Sequence, residues 1–358
     1  MYYLYMNITL IFFLYFFMCV SANKCAWNYR FDSIDNHFNL VYPDKNSIYF
    51  IMVIPENTSK FVVSNKMTDV YNKGIIPNYP NADYFSIQVY ETGNFITATF
   101  HINDKELMGL ENLTHRMGSY EYVLPLNPNS LYIGMFRIYT PHIPLSTFDT
   151  NRYAVHYWSG LPPNTYIDNK LYPICNIDYT HHDNIYTNFS HDINPHTGTV
   201  CNKNDVFTFM NVPTGSLTNA DANYMIACVQ TGLFYNISVR MPTMMCSSGY
   251  KSDDQHPWIN ETYDLRYASL NLVSTNSPRP TIDSWKIPCD QENFTISIWV
   301  DPIIPNPAFL YRQIMPDDKF TNSIKYAKTK CFDYVDNRYD DKCIAYVMDI
   351  YYPTVYAV

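Results

Sequence analysis

Two stretches of the sequence carry the same alternation of polar and apolar side chains, and an arginine follows each. The polar residues of the two stretches are Tyr84, Ser86, Gln88, Tyr267, Ser269 and Asn271, and the arginines are Arg137 and Arg312. Alternate residues of an extended strand share one face, so each stretch predicts a polar, aromatic-lined surface. Such a surface can bind a sugar or another hydroxylated or anionic ligand. The structural alternatives, which we favour, are a solvated outer sheet face or hydrogen-bond anchors around a buried arginine, because antiparallel sheets normally keep one face polar.

A histidine-rich segment offers a second set of candidate ligands. Its histidines are His181, His182, His191 and His196, with Asp183 and Asp192 among them. Imidazoles beside carboxylates can ligate zinc or copper. The spacing matches no defined ligand pattern, however, and a segment rich in Asn, Asp, Thr and Pro is also typical of a solvated loop. We favour the loop, and the sequence predicts no cofactor.

The motifs of common enzyme classes are missing from the sequence. It contains no G-x-S-x-G elbow, H-E-x-x-H helix, P-loop or dinucleotide fingerprint. The acidic pairs Asp317-Asp318 and Asp340-Asp341 are adjacent, as residues at helix starts and turns are. A glycosidase can place its two carboxylates anywhere in a chain. A secreted hydrolase with a site between two domains therefore stays an alternative, although we expect a protein that is not an enzyme.

The N-terminus has the pattern of an export signal. Residues 1–22 carry no charged side chain, residues 8–20 are almost wholly apolar, and Val20-Ser21-Ala22 precedes a polar segment. A short apolar core followed by small residues is typical of a cleaved secretory signal peptide. Because the segment lacks a leading Lys or Arg, an uncleaved N-terminal anchor is the alternative. No later stretch is apolar enough to span a membrane, so we expect a secreted, extracellular or virion-surface protein.

Cysteine usage agrees with export. Of nine cysteines, Cys19 leaves with the signal, and the other eight are Cys25, Cys175, Cys201, Cys228, Cys246, Cys289, Cys331 and Cys343. An even number in an exported chain predicts disulfides, although eight cysteines allow 105 pairings. The simplest pairing is local, and its pairs are Cys175–Cys201, Cys228–Cys246 and Cys331–Cys343, with Cys25–Cys289 remaining. No C-x-x-C motif supports a zinc ribbon or a thioredoxin-like site.

Six Asn-x-Ser/Thr triplets follow the signal. Their acceptors are Asn57, Asn112, Asn188, Asn236, Asn260 and Asn293. Asn236 and Asn293 alternate with apolar residues in strand-like segments and fall on the polar faces, where a glycan has room. The sequence therefore predicts a glycoprotein if the host pathway glycosylates it.

Short β-strands dominate the predicted secondary structure. The predicted strands are 48–54, 84–90, 94–102, 131–139, 206–210, 223–229, 233–241, 266–273, 294–300 and 345–351, each rich in β-branched and aromatic residues. One helix is predicted over 316–330, with acidic residues in its first turn and lysines at its end. The chain of 358 residues exceeds what one core usually organises. We therefore predict an all-β protein of two related jelly-roll-like β-sandwich domains with one short helix near the C-terminus.

The predicted boundaries divide the chain into three segments. Residues 1–22 are the signal peptide, 23–172 the first sandwich, and 173–358 the second, which begins with a Cys- and His-bearing loop at 175–201. The net charge of −9 argues against a nucleic-acid partner and against an anionic membrane surface.

Several short motifs resemble a family of exported proteins of unknown function, distantly similar to paired DUF1254/DUF1214-type β-rich modules. They are the segments 41–49, 80–90, 222–243, 266–269 and 309–320. Asp83 departs from the pattern, because Arg266 occupies the corresponding position of the second copy. The resemblance implies a β-rich fold and export, and it brings no reaction. The Asn-, Tyr- and Ile-rich composition is similar to that of proteins from AT-rich genomes, such as those of giant viruses or some protists.

These observations predict a secreted, disulfide-bonded binding or surface-structural protein, with carbohydrate as the expected ligand class. The alternatives are the secreted hydrolase and a structural component of a virion or cell coat. A cleft with converging carboxylates would favour the hydrolase. A flat, exposed aromatic strip would favour a lectin-like binder.

Overall fold

The computed structural model describes residues 26–27, 29–32, 43–64, 84–91, 98–103, 121–139, 164–172, 205–209, 219–242, 264–276, 281–288, 291–335 and 338–358. Within these ranges the protein is predominantly β, with antiparallel sheets and two short helices. The predicted signal peptide and the 175–201 loop lie outside the described residues.

The N-terminal part forms two antiparallel sheets. Its strands are β1 (Tyr29–Asp32), β2 (Ser47–Ile54), β3 (Lys60–Ser64), β4 (Tyr84–Glu91), β5 (Phe100–Asn103), β6 (Glu121–Pro125), β7 (Tyr132–Tyr139), β8 (Asn164–Ile167) and β9 (Lys170–Tyr172). A five-stranded sheet has the order β1-β2-β7-β4-β5, and a four-stranded sheet has the order β6-β3-β8-β9.

The C-terminal part repeats this order in its larger sheet. Its strands are β10 (Thr208–Phe209), β11 (Ala222–Cys228), β12 (Phe234–Arg240), β13 (Leu265–Ser274), β14 (Thr281–Lys286), β15 (Asn293–Trp299), β16 (Pro307–Pro316), β17 (Phe332–Asp333), β18 (Arg338–Tyr339) and β19 (Thr354–Ala357). The five-stranded sheet runs β10-β11-β16-β13-β14, a three-stranded sheet runs β15-β12-β19, and β17 pairs with β18. Numbered within each part, both five-stranded sheets have the order 1-2-7-4-5.

Each part has an apolar core between its two larger sheets. In the first, Phe50, Phe85 and Phe136 of the five-stranded sheet pack in one buried cluster with Phe61 and Ile167 of the four-stranded sheet. The predicted strands match β2, β4, β7, β11, β12, β13 and β15 to within one residue at each end. Period-2 alternation identified these strands because one face of each lies in such a core.

In the second part the core also receives the helices. Leu270 and Phe309 of the five-stranded sheet cluster with Ile237 of the three-stranded sheet and with Ile324 and Met348. The helical segment Ile324–Lys330 lies beside β11, and the 3₁₀ segment Asp349–Tyr351 lies beside β12.

The predicted helix over 316–330 is wrong in its first half. Pro316 ends β16, residues 317–323 form turns, and helix α1 covers only Ile324–Lys330. The start is fixed by Ser323, whose hydroxyl accepts a hydrogen bond from the Tyr326 amide at 3.1 Å. The early acidic residues belong to a turn, in which the Asp317 side chain accepts from the Lys319 amide at 2.8 Å.

The predicted strand over 345–351 is a helix. Helix α2 covers Asp341–Met348 and is followed by a 3₁₀ turn, Asp349–Tyr351. Asp340 caps it by accepting from the Lys342 amide at 2.9 Å, and the buried residues Ile344 and Met348 are four apart, which is the helical period. Among the described residues near the C-terminus there are therefore two short helices where one was predicted.

Among the described residues, no helix is long and apolar enough to cross a membrane. In the described sheets, strands that precede residue 173 pair only with one another, and so do the later strands. The boundary at residue 172 itself stays a prediction.

Candidate functional site

The eight predicted ligand residues lie between the two five-stranded sheets. Tyr84, Ser86, Gln88, Arg137, Tyr267, Ser269, Asn271 and Arg312 are each at most 3% exposed. The faces that carry them turn away from the two apolar cores and toward each other, so that the Tyr139 and Tyr267 rings lie 5.1 Å apart between centroids. The residues are therefore buried rather than solvated.

The two arginines occupy equivalent registers. On the first sheet Arg137 of β7 pairs with Tyr49 of β2 and with Ser86 of β4. On the second sheet Arg312 of β16 pairs with Tyr224 of β11 and with Ser269 of β13. Each sheet thus presents a Tyr–Arg–Ser row to the other sheet.

Asp44 belongs to the first part of the chain and accepts hydrogen bonds from polar side chains of the second sheet. Its carboxylate Oδ2 accepts hydrogen bonds from Arg312 Nη1 at 2.6 Å, from the Ser269 hydroxyl at 2.6 Å and from the Tyr267 hydroxyl at 2.9 Å. The other oxygen, Oδ1, accepts from the Asn46 amide at 2.9 Å. Asp44 is itself fully buried, and charge-assisted bonds of this kind are the strongest hydrogen bonds that proteins make.

The electrostatics of this pair favour both charges. Burial alone raises the pKa of the Asp44 carboxyl, but the Arg312 charge and the Ser269 and Tyr267 hydroxyls outweigh burial and hold that pKa below its usual value. Burial lowers the pKa of Arg312, and Tyr139 and Asp44 raise it well above its ordinary value. Asp44 and Arg312 therefore form a buried ion pair across the two sheets.

Aromatic rings complete the surroundings of Arg312. Its guanidinium carbon lies 5.3 Å from the ring centroid of Tyr224 and 5.7 Å from that of Tyr139, within cation–π range. Burial raises the pKa of Tyr224 to about 12, against the opposing effect of the Arg312 charge. The tyrosine is accordingly a neutral partner at physiological pH.

A turn in each part of the chain reaches the five-stranded sheet of the other part, and the two turns have the same backbone hydrogen bonds. In the Asp44 turn (residues 43–46), the Ser47 amide donates to the Asp44 carbonyl at 3.1 Å. In the Asn219 turn (residues 219–221), the Ala222 amide donates to the Asn219 carbonyl at 3.1 Å, and the Asp221 amide donates to Asn219 Oδ1 at 3.1 Å. The two turns have the same Asx geometry, but the carboxylate has moved from the first position to the third.

Asp221 binds residues of the first part. Its Oδ2 accepts from the Tyr84 hydroxyl at 2.6 Å and lies 2.9 Å from His101 Nε2. Burial raises the pKa of Asp221, but the His101, Tyr84 and Asn103 side chains together lower it below its usual value. The corresponding contact of the Asp44 turn is the one from Asn46 Nδ2 to the Ser284 hydroxyl, at 3.2 Å.

The row of the first sheet is less completely satisfied. Arg137 Nη2 donates to the Tyr90 hydroxyl at 3.0 Å, and that hydroxyl donates to Gln88 Oε1 at 2.8 Å. On this sheet Ser47 Oγ, Ser86 Oγ and Gln88 Nε2 have no hydrogen-bond partner among the described residues, and the same holds for Asn219 Nδ2 of the facing turn. Such groups are rare in native proteins, because each costs about 1–3 kcal/mol.

This layer holds the two sheets together, and the charged groups of Asp44 and Arg312 point at each other across it. A ligand would have to separate the sheets to reach either arginine. Sequence reasoning found the strand and arginine positions but missed Asp44 and Asp221 as their partners. The available signal was the Asp-x-Asn and Asn-x-Asp pattern just before β2 and β11, which is typical of Asx turns.

A second aromatic surface faces solvent, on the three-stranded sheet. Phe234, Trp299 and Tyr356 are 53%, 44% and 54% exposed, and the Phe234 and Trp299 ring centroids lie 5.0 Å apart. Sequence reasoning placed Asn236 on the polar face of its strand but did not note that Phe234 shares this face. Alternation within 233–241 was the signal.

The other predicted sites are only partly described. Cys331–Cys343 is a disulfide, with Cα atoms 5.5 Å apart, and Cys228 is also disulfide-bonded. Asn57 and Asn293 are exposed and Asn236 is half-buried. The predicted residues outside the described ranges are His181, His182, His191, His196, Cys25, Cys175, Cys201, Cys246, Cys289, Asn112, Asn188 and Asn260. The described ranges contain no cluster of three or more metal-ligating side chains.

Comparisons with known proteins give a coarse result. No protein-family model and no curated protein matches the chain. It is similar in structure to an uncharacterized protein from Burkholderia cenocepacia, at 11% identity and a TM-score of 0.44, over 82% of this chain and 79% of that one. A Vibrio parahaemolyticus protein matches at 9% identity and a TM-score of 0.37, over 91% of this chain and 93% of that one.

A weaker likeness is to tandem CBM51 modules of a Streptococcus pneumoniae family 98 glycoside hydrolase. Identity is 8% and the TM-score is 0.16, over 78% of this chain and 88% of that one. These three likenesses have TM-scores below 0.5 and carry no functional argument. The resemblance to DUF1254/DUF1214-type modules, and the giant-virus or protist origin, stay predictions.

Proposed function

We propose that the protein is an exported, disulfide-bonded surface-structural protein made of two related jelly-roll-like β-sandwich domains. The observation that carries this proposal is the buried layer between the five-stranded sheets. The predicted ligand strips are used there for contacts between the two parts of the chain, such as the one between Asp44 and Arg312. A layer of this kind joins two sandwiches into one rigid body.

Topology supports the relationship between the two domains. Both five-stranded sheets have the internal order 1-2-7-4-5, and in both parts the smaller sheet pairs strand 6 with strand 3. Strands that alternate between two facing sheets are typical of jelly rolls. The equivalent Tyr–Arg–Ser rows and Asx turns add a match in register, which we attribute to duplication of one ancestral domain.

A binding role remains the second candidate, with carbohydrate as its ligand class. The exposed aromatic face of the three-stranded sheet favours it, since sugars offer apolar C–H faces that aromatic rings can cover. No comparable observation favours the hydrolase, because within the described residues the carboxylates of Asp44 and Asp221 each accept hydrogen bonds between the sheets.

Expression of the full chain in an eukaryotic secretory host tests the proposal. We expect protein in the medium that begins at Asn23, contains the Cys331–Cys343 disulfide, and resists proteolysis between its two halves. Intracellular protein with free thiols would contradict export. A pair of halves that separates after a single cut between residues 172 and 205 would contradict the rigid joint.

A further inference from the structure

The exposed face of the three-stranded sheet combines aromatic rings with a glycosylation triplet. Cross-strand pairing places Phe234 opposite Trp299, and Asn236 opposite Ser297 on one side and Tyr356 on the other. Directly opposed side chains have Cβ atoms about 5 Å apart, and diagonal neighbours about 7–8 Å. Asn236 therefore lies within one sugar's width of all three rings.

The amide of Asn236 lies on this face between Ser297 and Tyr356. Its Oδ1 accepts a hydrogen bond from the Ser297 hydroxyl, and its Nδ2 lies 3.5 Å from the Tyr356 hydroxyl. The nitrogen to which an N-glycan is joined thus points along the sheet toward Tyr356. The residues Asn236-Ile237-Ser238 supply the acceptor triplet.

The rings need a cover that the described residues do not supply. The three large side chains are neighbours, and each is about half-exposed. An exposed apolar patch of this kind is uncommon on a monomer unless a partner or ligand covers it. A pyranose ring has a face of C–H groups that stacks on aromatic rings and a rim of hydroxyls that stays hydrated. It can cover such a patch without making the surface less soluble.

We infer that Asn236 carries an N-linked glycan whose first sugar packs on Phe234, Trp299 and Tyr356. The inference rests on the proposed export. In the attachment step, Asn236 Nδ2 bonds to the anomeric carbon of a lipid-pyrophosphate-linked oligosaccharide. The bond from that carbon to the pyrophosphate oxygen breaks, the electron pair leaves with the lipid pyrophosphate, and Nδ2 loses one of its two protons.

Asn293 provides a matched control on the same face. It begins the triplet Asn293-Phe294-Thr295 and pairs with Arg240 at the other end of β15 from Trp299. Asn293 is six positions from Trp299 along β15, a distance of roughly 20 Å. A sugar on Asn293 does not reach the rings, so its effects are independent of them.

The first experiment measures occupancy of each acceptor site in the secreted full chain by peptide mass spectrometry after enzymatic deglycosylation in ¹⁸O water. We expect Asn236 to be occupied. Occupancy at Asn57 or Asn293 with none at Asn236 would overturn the inference and leave export intact. No occupancy in a protein retained inside the cell would overturn export, and the inference with it.

The second experiment tests packing through thermal unfolding. Loss of the Asn236 glycan, by the substitution Asn236→Gln in the same host, is expected to lower Tm by about 2–4 °C, as expected for an aromatic contact in a domain of this size. In a Trp299→Ala background the same substitution should change Tm by less than half as much. Asn293→Gln should have an equal effect in both backgrounds.

Equal effects of Asn236→Gln with and without Trp299 would overturn the packing. A glycan array distinguishes the other occupant of this face, a free saccharide. If the Asn236→Gln protein binds a saccharide and the glycosylated protein does so equally well, the face is open in the native protein and the inference is wrong.

Discussion

The Asp44 turn and the Asn219 turn occupy equivalent positions, but they contact the opposite sheet with differently charged side chains. Both precede the second strand of a five-stranded sheet, and both reach the opposite sheet. Asp44 is directly paired with an arginine, whereas the Asn219 turn places a neutral amide at that point and its carboxylate two residues later. The two turns therefore share their backbone geometry but differ in the position of their carboxylate.

The difference has a consequence for burial. Asp44 is fully buried and accepts hydrogen bonds from four side chains of the other sheet, while Asp221 is 17% exposed. Ser269 has a carboxylate acceptor, and its equivalent, Ser86, has no hydrogen-bond partner among the described residues. The Asp44 side of the layer should therefore contribute more stability than the Asn219 side.

The largest expected effect is that of Asp44→Asn. The substitution removes the charge that faces Arg312 in a buried site, and breaking a buried ion pair typically costs about 3–5 kcal/mol. Urea-induced unfolding of the full chain gives this loss. Asp318→Asn is the control, because Asp318 makes an exposed ion pair with Lys325 and should leave the unfolding free energy unchanged. Equal losses from both variants would remove the distinction between the buried pair and a surface pair.

Acidification should act in the same direction with a smaller effect. The pKa values of Asp44 and Asp221 are both lowered in the folded protein. Each carboxylate therefore contributes stability above its unfolded pKa of about 4, and that stability is lost as pH falls through the folded pKa. Unfolding free energies measured from pH 6 to pH 3 should show a flatter profile in Asp44→Asn than in Asp221→Asn. The reverse order would contradict our ranking of the two turns.

Seven strands, β2, β4, β7, β11, β12, β13 and β15, were predictable because each has one face in an apolar core, whereas β16, which carries Arg312, was not predicted as a strand. Alternation in segments such as 84–90 and 233–241 is enforced by that core, and it located the strands to within a residue. The predicted first helix began too early because Asp317 belongs to a turn and the cap of α1 is Ser323. In α2, the Asp340 cap and the helical spacing of Ile344 and Met348 outweighed the β-propensity of a segment rich in aromatic and β-branched residues.

The burial of the polar strips could not be predicted from either strand alone. A row such as Tyr84, Ser86 and Gln88 has the same pattern whether it faces water or another polar sheet. Burial of a row depends on the second copy of the row and on the turn that supplies its carboxylate. Asp44 and Tyr267, for example, are more than two hundred residues apart in the sequence. The repeated pattern therefore indicates burial only when the two rows are known to face each other.

Removing Asp221 should cost less than removing Asp44. Asp221→Asn keeps a side chain that can hydrogen-bond Tyr84 but loses the charge beside His101. For a partly exposed group with two such contacts we expect a loss of about 1–2 kcal/mol, measured by the same urea unfolding. A loss as large as that of Asp44→Asn would show that the two turns are energetically equivalent despite their different charges.

The smallest effect should come from moving the charge within the Asn219 turn. Asn219→Asp combined with Asp221→Asn gives this turn the Asp-x-Asn order of the Asp44 turn and offers the Ser86 hydroxyl an acceptor. We expect the pair to regain about 1 kcal/mol relative to Asp221→Asn alone, the usual contribution of one hydrogen bond. Adding Ser86→Ala should cancel the gain, whereas Ser86→Ala in the natural protein should be nearly neutral because that hydroxyl has no hydrogen-bond partner among the described residues. A gain that survives Ser86→Ala would mean that the equivalence of Ser86 and Ser269 is one of position only.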